Sequence, residues 1–173
     1  MARIIKNLRA FARQESEPAS RVDLCGVVQA AVEVSESRLR NEGVEVDVRI
    51  PDTPIWVNGG EVRLQQVVIN LISNAIDAMS GIAEKSLTLS ATDVPTPSVI
   101  VRDTGPGIID PEKIFEPFYS TKSVGEGEGT GLGLSISYGL VQSFGGNISG
   151  ENGVDGGAVF TVRLQPWNEE VAA

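Results

Sequence analysis

Apolar positions along this chain change their period from segment to segment, and each change marks an element. Ile4, Ile5, Leu8 and Phe11 recur at helical spacing among Arg3, Lys6, Arg9 and Arg13, which predicts a basic amphipathic helix without an N-terminal cap. The polar, proline-containing ESEPAS (15–20) reads as a linker. Asp23 then caps a second helix whose Leu24, Val27, Val28, Ala31 and Leu39 share a face, and Gly43 ends it. In VEVDVRI (44–50) the period drops to two: Val44, Val46, Val48 and Ile50 face one way and charged residues the other, as in a strand with one wet face. A short strand at IWV (55–57), a long helix from about Glu61 to Met79, and strands near LTLSA (87–91) and SVIV (98–101) follow. Residues 104–131 break the pattern. They are rich in glycine and turn residues, hold at most a helical turn at DPEKIF, and are too long for an ordinary connection, so they read as a lid or a disordered stretch. A helix from about Leu132 to Phe144 and strands near NISG and AVFTVRL close the chain. This order is neither a regular βαβ alternation nor all-β, and it fits an α/β (α+β) two-layer sandwich.

Composition narrows the chemistry. The 173 residues are 41% hydrophobic, enough for a sizeable core in one domain plus a short appendage, and the net charge of −9 argues against nucleic acid or an anionic membrane surface as a partner. One cysteine, Cys25, permits no internal disulfide, no apolar run approaches ~18 residues, and the charged opening MARIIKN does not resemble a signal peptide, so a cytosolic character is expected. There is no histidine. The commonest general base and most transition-metal sites are thereby removed.

Four stretches ask for chemistry. In NLISNAIDAM (70–79) and the turns before it, Arg63, Gln66, Asn70, Ser73, Asn74 and Asp77 project from one side of a helix with about 3.6 residues per turn, and Leu64, Val67, Val68, Leu71, Ile72 and Ala75 from the other. This is either a solvated face or a pair of amide oxygens presented to a hard cation such as magnesium. VRDTGPGI (101–108) puts Asp103 at the end of a buried strand before Gly105 and Gly107. Such a carboxylate caps a turn, or it accepts from the exocyclic amine of a flat base that glycines allow close to the backbone. GEGTGLGLS (127–135) opens a helix with Gly129, Gly131 and Gly133, either a hinge or a place where exposed N–H groups and the helix dipole hold phosphate. It is no Walker loop, for the chain lacks Gly-Lys-Ser/Thr, and Leu134 stands where a Rossmann fingerprint needs its third glycine. The signature of Ser/Thr protein kinases is also missing. In KIFEPFYSTKS (113–123), Phe115 and Phe118 flank Pro117; they can anchor the loop to the core, while Lys122 can serve as a mobile counter-charge for polyphosphate.

In sequence order these stretches resemble the N, G1, F and G2 boxes of the catalytic and ATP-binding domain of bacterial sensor histidine kinases, within the wider GHKL superfamily. The resemblance covers about residues 22–164, and GGAVFTVRL (156–164) is similar to the family's last strand. It implies a Bergerat-type fold, a mixed sheet packed on three helices. Residues 1–15 look like the second helix of a dimerisation and phosphotransfer hairpin. The resulting expectation is a hairpin remnant and linker over 1–20, the ATP-binding domain over 21–166 and a tail over 167–173. NLRAFARQ, NAIDAM and IFEPFYSTK are most similar to the C4-dicarboxylate and nitrogen-regulatory sensor kinases.

Carried over by position, the resemblance implies ATP and magnesium as ligands, with Asn74 giving an oxygen to the metal and Asn70 beside it near the phosphates. Asp103 would hold the adenine amine, Gly105, Gly107 and Ile108 would shape its pocket, and Thr121 and Lys122 would approach from the lid. Backbone at Gly129, Thr130, Gly131, Leu132 and Gly133 would enclose the polyphosphate, and Asp77 would contact solvent or nucleotide. Asn70, Asn74 and Lys122 are the residues expected to act in transfer. Two departures stand out. Ala158 occupies a position where several members carry a Thr or Ser that helps at the adenine, leaving that bond to water or Thr161, and the phosphoacceptor histidine is absent. The chain is therefore expected to bind ATP without phosphorylating itself, as the cytoplasmic portion of an inner-membrane receptor that dimerises through its hairpin and serves a response regulator of the nitrogen-regulatory C type. The implied reaction is in-line transfer of the γ-phosphoryl group to a histidine nitrogen, with lid closure excluding solvent. Hydrolases of the superfamily carry a water-activating glutamate where this chain has Asn70, whose amide cannot accept the proton. A degenerate nucleotide-binding adaptor is the other alternative.

Overall fold

The computed structural model describes residues 18–119 and 131–169. The expected amphipathic helix over 1–15 lies outside the described residues, as do Thr121, Lys122, Gly129 and Thr130.

The first described element departs from the expected passage of linker into helix. Ser20–Asp23 (β1) is a strand, paired antiparallel with Trp56–Gly59 (β3) from Ser20 opposite Gly59 to Asp23 opposite Trp56. Four residues with one apolar side chain have no period to read; the partner confers the strand. The chain after the last strand joins this ribbon, where Asn58 N–H donates to the Gln165 carbonyl at 2.9 Å and Trp167 N–H to that of Trp56 at 3.0 Å. The short strand expected at IWV therefore starts one residue later and belongs to a ribbon apart from the main sheet.

Asp23 ends β1 and caps Leu24–Asn41 (α1): its Oδ1 accepts from Cys25 N–H at 3.0 Å and from Ile55 N–H at 3.2 Å. One carboxylate thus satisfies a helix donor and fixes the approach to β3. The predicted face of Leu24, Val27, Val28, Ala31 and Leu39 is buried. Next come Val44–Arg49 (β2), Glu61–Ala78 (α2), Lys85–Thr92 (β4), Ser98–Asp103 (β5), Gly133–Ser143 (α3), Asn147–Asn152 (β6) and Ala158–Arg163 (β7). The main sheet runs β2-β4-β5-β7-β6, parallel between β2 and β4 and antiparallel elsewhere.

Register sorts the side chains into two layers. Leu89 stands opposite Val101, and Val101 opposite Phe160; with Leu87, Val99 and Val162 these face the helices and are buried. α1 packs over β2 and β4, α2 over β5, and α3 over β6. Thr88, Ser90, Arg102 and Thr161 occupy the alternate positions on the open face. The strict alternation expected of β2 fades along its length: Val44 is buried but Val48 is 38% exposed, on an edge strand with a neighbour on one side only. Over 110–119 the expected helical turn is a succession of tight turns, Lys113 N–H to Asp110 O and Glu116 N–H to Lys113 O. No helix among the described residues is long and apolar enough to cross a membrane.

Candidate functional site

α2 is the spine of the site. Its apolar stripe, Leu64, Val67, Val68, Leu71, Ile72 and Ala75, is buried as the periodicity predicts. Arg63 is the exception on the polar side. It is 4% exposed, its guanidinium lies 5.7 Å from the Phe144 ring, and its Nε and Nη2 have no acceptor among the described residues. The end of α3 covers the first turn of α2, which local periodicity cannot reveal.

Asn70 and Asn74 part company. The Asn70 amide donates to Ser137 Oγ at 3.2 Å and to the Gly133 carbonyl at 3.4 Å, and its oxygen accepts from Gln66 Nε2 at 2.9 Å. It therefore ties α2 to the first turns of α3, and a carbonyl acceptor orients its NH₂ toward that helix. Asn74, a turn along, is half-buried, and its side chain has no hydrogen-bond partner among the described residues. Asp77 accepts from Arg38 Nη2 at 2.5 Å, and the same guanidinium donates to Ser73. Arg38 thus brings α1 to the far side of the stripe.

Asp103 ends β5 and is 3% exposed. Its Oδ1 accepts from Gly105 N–H at 2.8 Å and Ala158 N–H at 3.3 Å. Among the described residues nothing donates to Oδ2, which is not sealed from solvent, so it remains an open acceptor at the end of a buried strand. Burial pushes the carboxyl above its ordinary range, and the two backbone donors counter this in part. A Cβ on Gly105 would sit 3.2 Å from the Ala78 carbonyl, so the loop after β5 lies against the last turn of α2. From Asn70 to Ala78 the helix rises about 12 Å. Asp103 marks one end of that span and the head of α3 the other.

α3 begins at Gly133 with Leu132 as its N-cap residue and no side-chain cap, which leaves first-turn N–H groups for another acceptor. Phe118 N–H donates to the Gly131 carbonyl at 3.0 Å, so the two described ends of the long loop meet at this helix head. The loop aromatics divide. Phe115 packs at 5.6 Å from Tyr138 and edge-on to Phe160, an anchor, whereas Phe118 is 69% exposed.

Ala158 offers no hydroxyl beside Asp103, and Thr161, three residues along the strand, lies on the opposite face of β7 from Ala158. Sequence reasoning missed Ser137, fully buried beneath Asn70, and Gly157. Gly157 has φ +74°, and a Cβ there would lie 1.9 Å from the Asp103 carbonyl, so only glycine lets the β6–β7 turn seat against β5. The GG pair was a visible signal; its target 54 residues earlier was not.

This arrangement has known counterparts. Residues 59–168 match the family described as histidine kinase-, DNA gyrase B-, and HSP90-like ATPase. The chain is 36% identical over 177 residues to the C4-dicarboxylate transport sensor protein DctB of Pseudomonas aeruginosa, an alignment covering 100% of this chain and 29% of that protein's length. The nucleotide-free catalytic domain of histidine kinase ThkA superposes with a TM-score of 0.75 at 28% identity, covering 87% of this chain and 97% of that one. The complex of histidine kinase ThkA with response regulator protein TrrA shares the fold at a TM-score of 0.71 and 24% identity, covering 98% of this chain and 50% of that one. Fold, sequence and domain-length superposition agree: the chain belongs to the histidine kinase-, DNA gyrase B-, and HSP90-like ATPase family, as an ATP-binding catalytic domain of the sensor histidine kinase type.

Proposed function

We propose that the site along α2 holds ATP and directs its γ-phosphoryl group to a histidine of the full-length protein. The observation that carries this reading is the open Oδ2 of buried Asp103 at one end of α2 and the uncapped head of α3, tied to Asn70, at the other. A carboxylate oxygen at a strand end suits an exocyclic amine, and free helix N–H groups suit phosphate. Gly105, Gly107 and Ile108 would shape the adenine pocket. Gly131, Leu132 and Gly133, with Gly129, Thr130, Thr121 and Lys122, would surround the phosphates, and Asp77 would contact solvent or nucleotide.

Magnesium fits as a companion of the nucleotide rather than as a resident ion. No group of three or more His, Cys, Asp or Glu among the described residues could hold a metal, and Asn74 offers one neutral oxygen, the kind of donor a hydrated Mg²⁺ accepts beside phosphates. When bound, the ion would neutralise charge on the transferred group. Asn74 would orient it, and Asn70 and the α3 N–H groups would hold the phosphate chain. No described residue needs to deprotonate water, since the nucleophile is an imidazole nitrogen. Asn70 could not do so, which disfavours hydrolysis.

The catalytic unit is taken to span 21–166, following a hairpin helix and linker over 1–20 and preceding a short tail. In the full-length protein it would work on the cytoplasmic side of a membrane receptor, where ATP is available, in a homodimer formed through the hairpin. A response regulator, of the nitrogen-regulatory C type, would take the phosphate. Dicarboxylate sensing is the proposed input, on the likeness to the Pseudomonas aeruginosa protein. Mixing this chain with a separately made hairpin bearing its histidine, plus Mg-ATP, should give acid-labile phosphate on the hairpin. Nucleotide binding without transfer would favour an adaptor instead.

A further inference from the structure

The β6–β7 hairpin grips the loop after β5 more closely than strand pairing requires. Asn152, the last residue of β6, stands opposite Ala158, whose N–H donates to Asp103. The Asn152 Oδ1 accepts from Ile108 N–H at 2.6 Å, and its Nδ2 donates to the Ile108 carbonyl at 3.0 Å. A side-chain amide that meets both backbone groups of one residue stands in for a strand neighbour. Its polarity is fixed, because the Ile108 N–H can only donate and the carbonyl only accept. The same Oδ1 lies 2.5 Å from where a Cβ on Gly107 would stand, and Gly107 has φ +86°, so the bracket and the left-handed glycine require each other. Gly150 completes the fit: a Cβ there would meet Ile114 Cδ1 at 2.6 Å and Ile108 Cδ1 at 3.1 Å. Backbone and side chain of Ile108 are therefore both set from β6.

We propose that Asn152 is a positioning residue of the nucleotide site, fixing the backbone of Gly107 and Ile108 so that the pocket beside Asp103 is formed before the adenine arrives. It acts through the loop and does not touch nucleotide. This rests on the ATP reading above. The benefit is preorganisation: a loop already held in its bound conformation loses less freedom on binding.

The test is calorimetric titration of Mg-ADP into the wild-type chain, Asn152→Leu and Asn152→Asp, with amide hydrogen exchange on each. Leucine keeps the size and removes both bonds; aspartate keeps the acceptor for Ile108 N–H and loses the donor. The expected result is about a tenfold weaker affinity for Asn152→Leu, the scale of two modest hydrogen bonds. Asn152→Asp should fall between, and protection should be lost at Ile108 while Val99 and Val101 in β5 stay protected. Unchanged affinity in Asn152→Leu would overturn the proposal, as would equal loss of protection in the loop and in β5, which would mark a purely structural role. A wild-type chain that binds no adenine nucleotide would overturn the ATP reading itself, and this proposal with it.

Discussion

At the residue scale, Asp103 is under opposing influences. Burial raises its pKa above the ordinary 3.8, and the N–H groups of Gly105 and Ala158 only partly offset that. The folded chain therefore holds this proton more tightly than the unfolded one. The stability contributed by the neutral carboxyl is present below 3.8 and declines as pH rises from there through the raised value. Above that window the fold bears a buried charge, which the proposed adenine contact would need: only the ionised group offers Oδ2 purely as an acceptor. Asp103→Asn should fold, since an amide oxygen can still take the two backbone bonds, but its NH₂ would oppose the adenine amine. ADP affinity should fall by about 2 kcal/mol or more, roughly thirtyfold. In the wild type, affinity should decline on acidification from neutral pH, and calorimetry on Asp103→Asn should show that this component of the decline is gone. Asn74→Ala tests the neighbouring assignment. Comparing ADP affinity with and without magnesium should show the metal's contribution abolished; an undiminished contribution would remove Asn74 as its ligand.

At the element scale, helices were the legible part. α1, α2 and α3 each repeat an apolar stripe over several turns, and such a stripe is a local property. The cap of α1 was legible too, because aspartate one residue before an apolar run has few other uses. Its second bond, to Ile55 N–H, was not, since it joins residues 32 positions apart. Asp23→Ala should therefore cost about 1–2 kcal/mol, at or above the usual loss of a helix cap, because a donor at the start of β3 is orphaned with it. Urea denaturation would measure this, with Asp23→Asn retaining most of the stability. β1 left no trace in the sequence, being a strand only because β3 is beside it. On α2, the face that reads as uniformly wet is divided by its neighbours: α3 takes Arg63 and Asn70, α1 takes Asp77 through Arg38, and the Asn74 side chain is left without a hydrogen-bond partner among the described residues.

At the scale of the whole molecule, the donor set constrains how metal and nucleotide arrive. Amide oxygens without a carboxylate cluster hold magnesium poorly, so magnesium alone should leave the melting temperature unchanged. Mg-ADP at a hundredfold excess over its Kd should add about 2.7 kcal/mol, which thermal denaturation would register as a higher midpoint. A rise with magnesium alone would require a metal site other than the one described. Local order in the chain was enough to specify the helices of the described residues, all five strands of the main sheet and the residue types of each box, because periodicity, caps and glycine placement act between neighbours. Folding alone decided which of those residues meet. The seating of Gly157 on Asp103, the burial of Arg63 under Phe144, the division of labour between Asn70 and Asn74, and the hold of Asn152 on Ile108 all join residues far apart in sequence. Their geometry depends on strand register and helix packing, which no local pattern encodes.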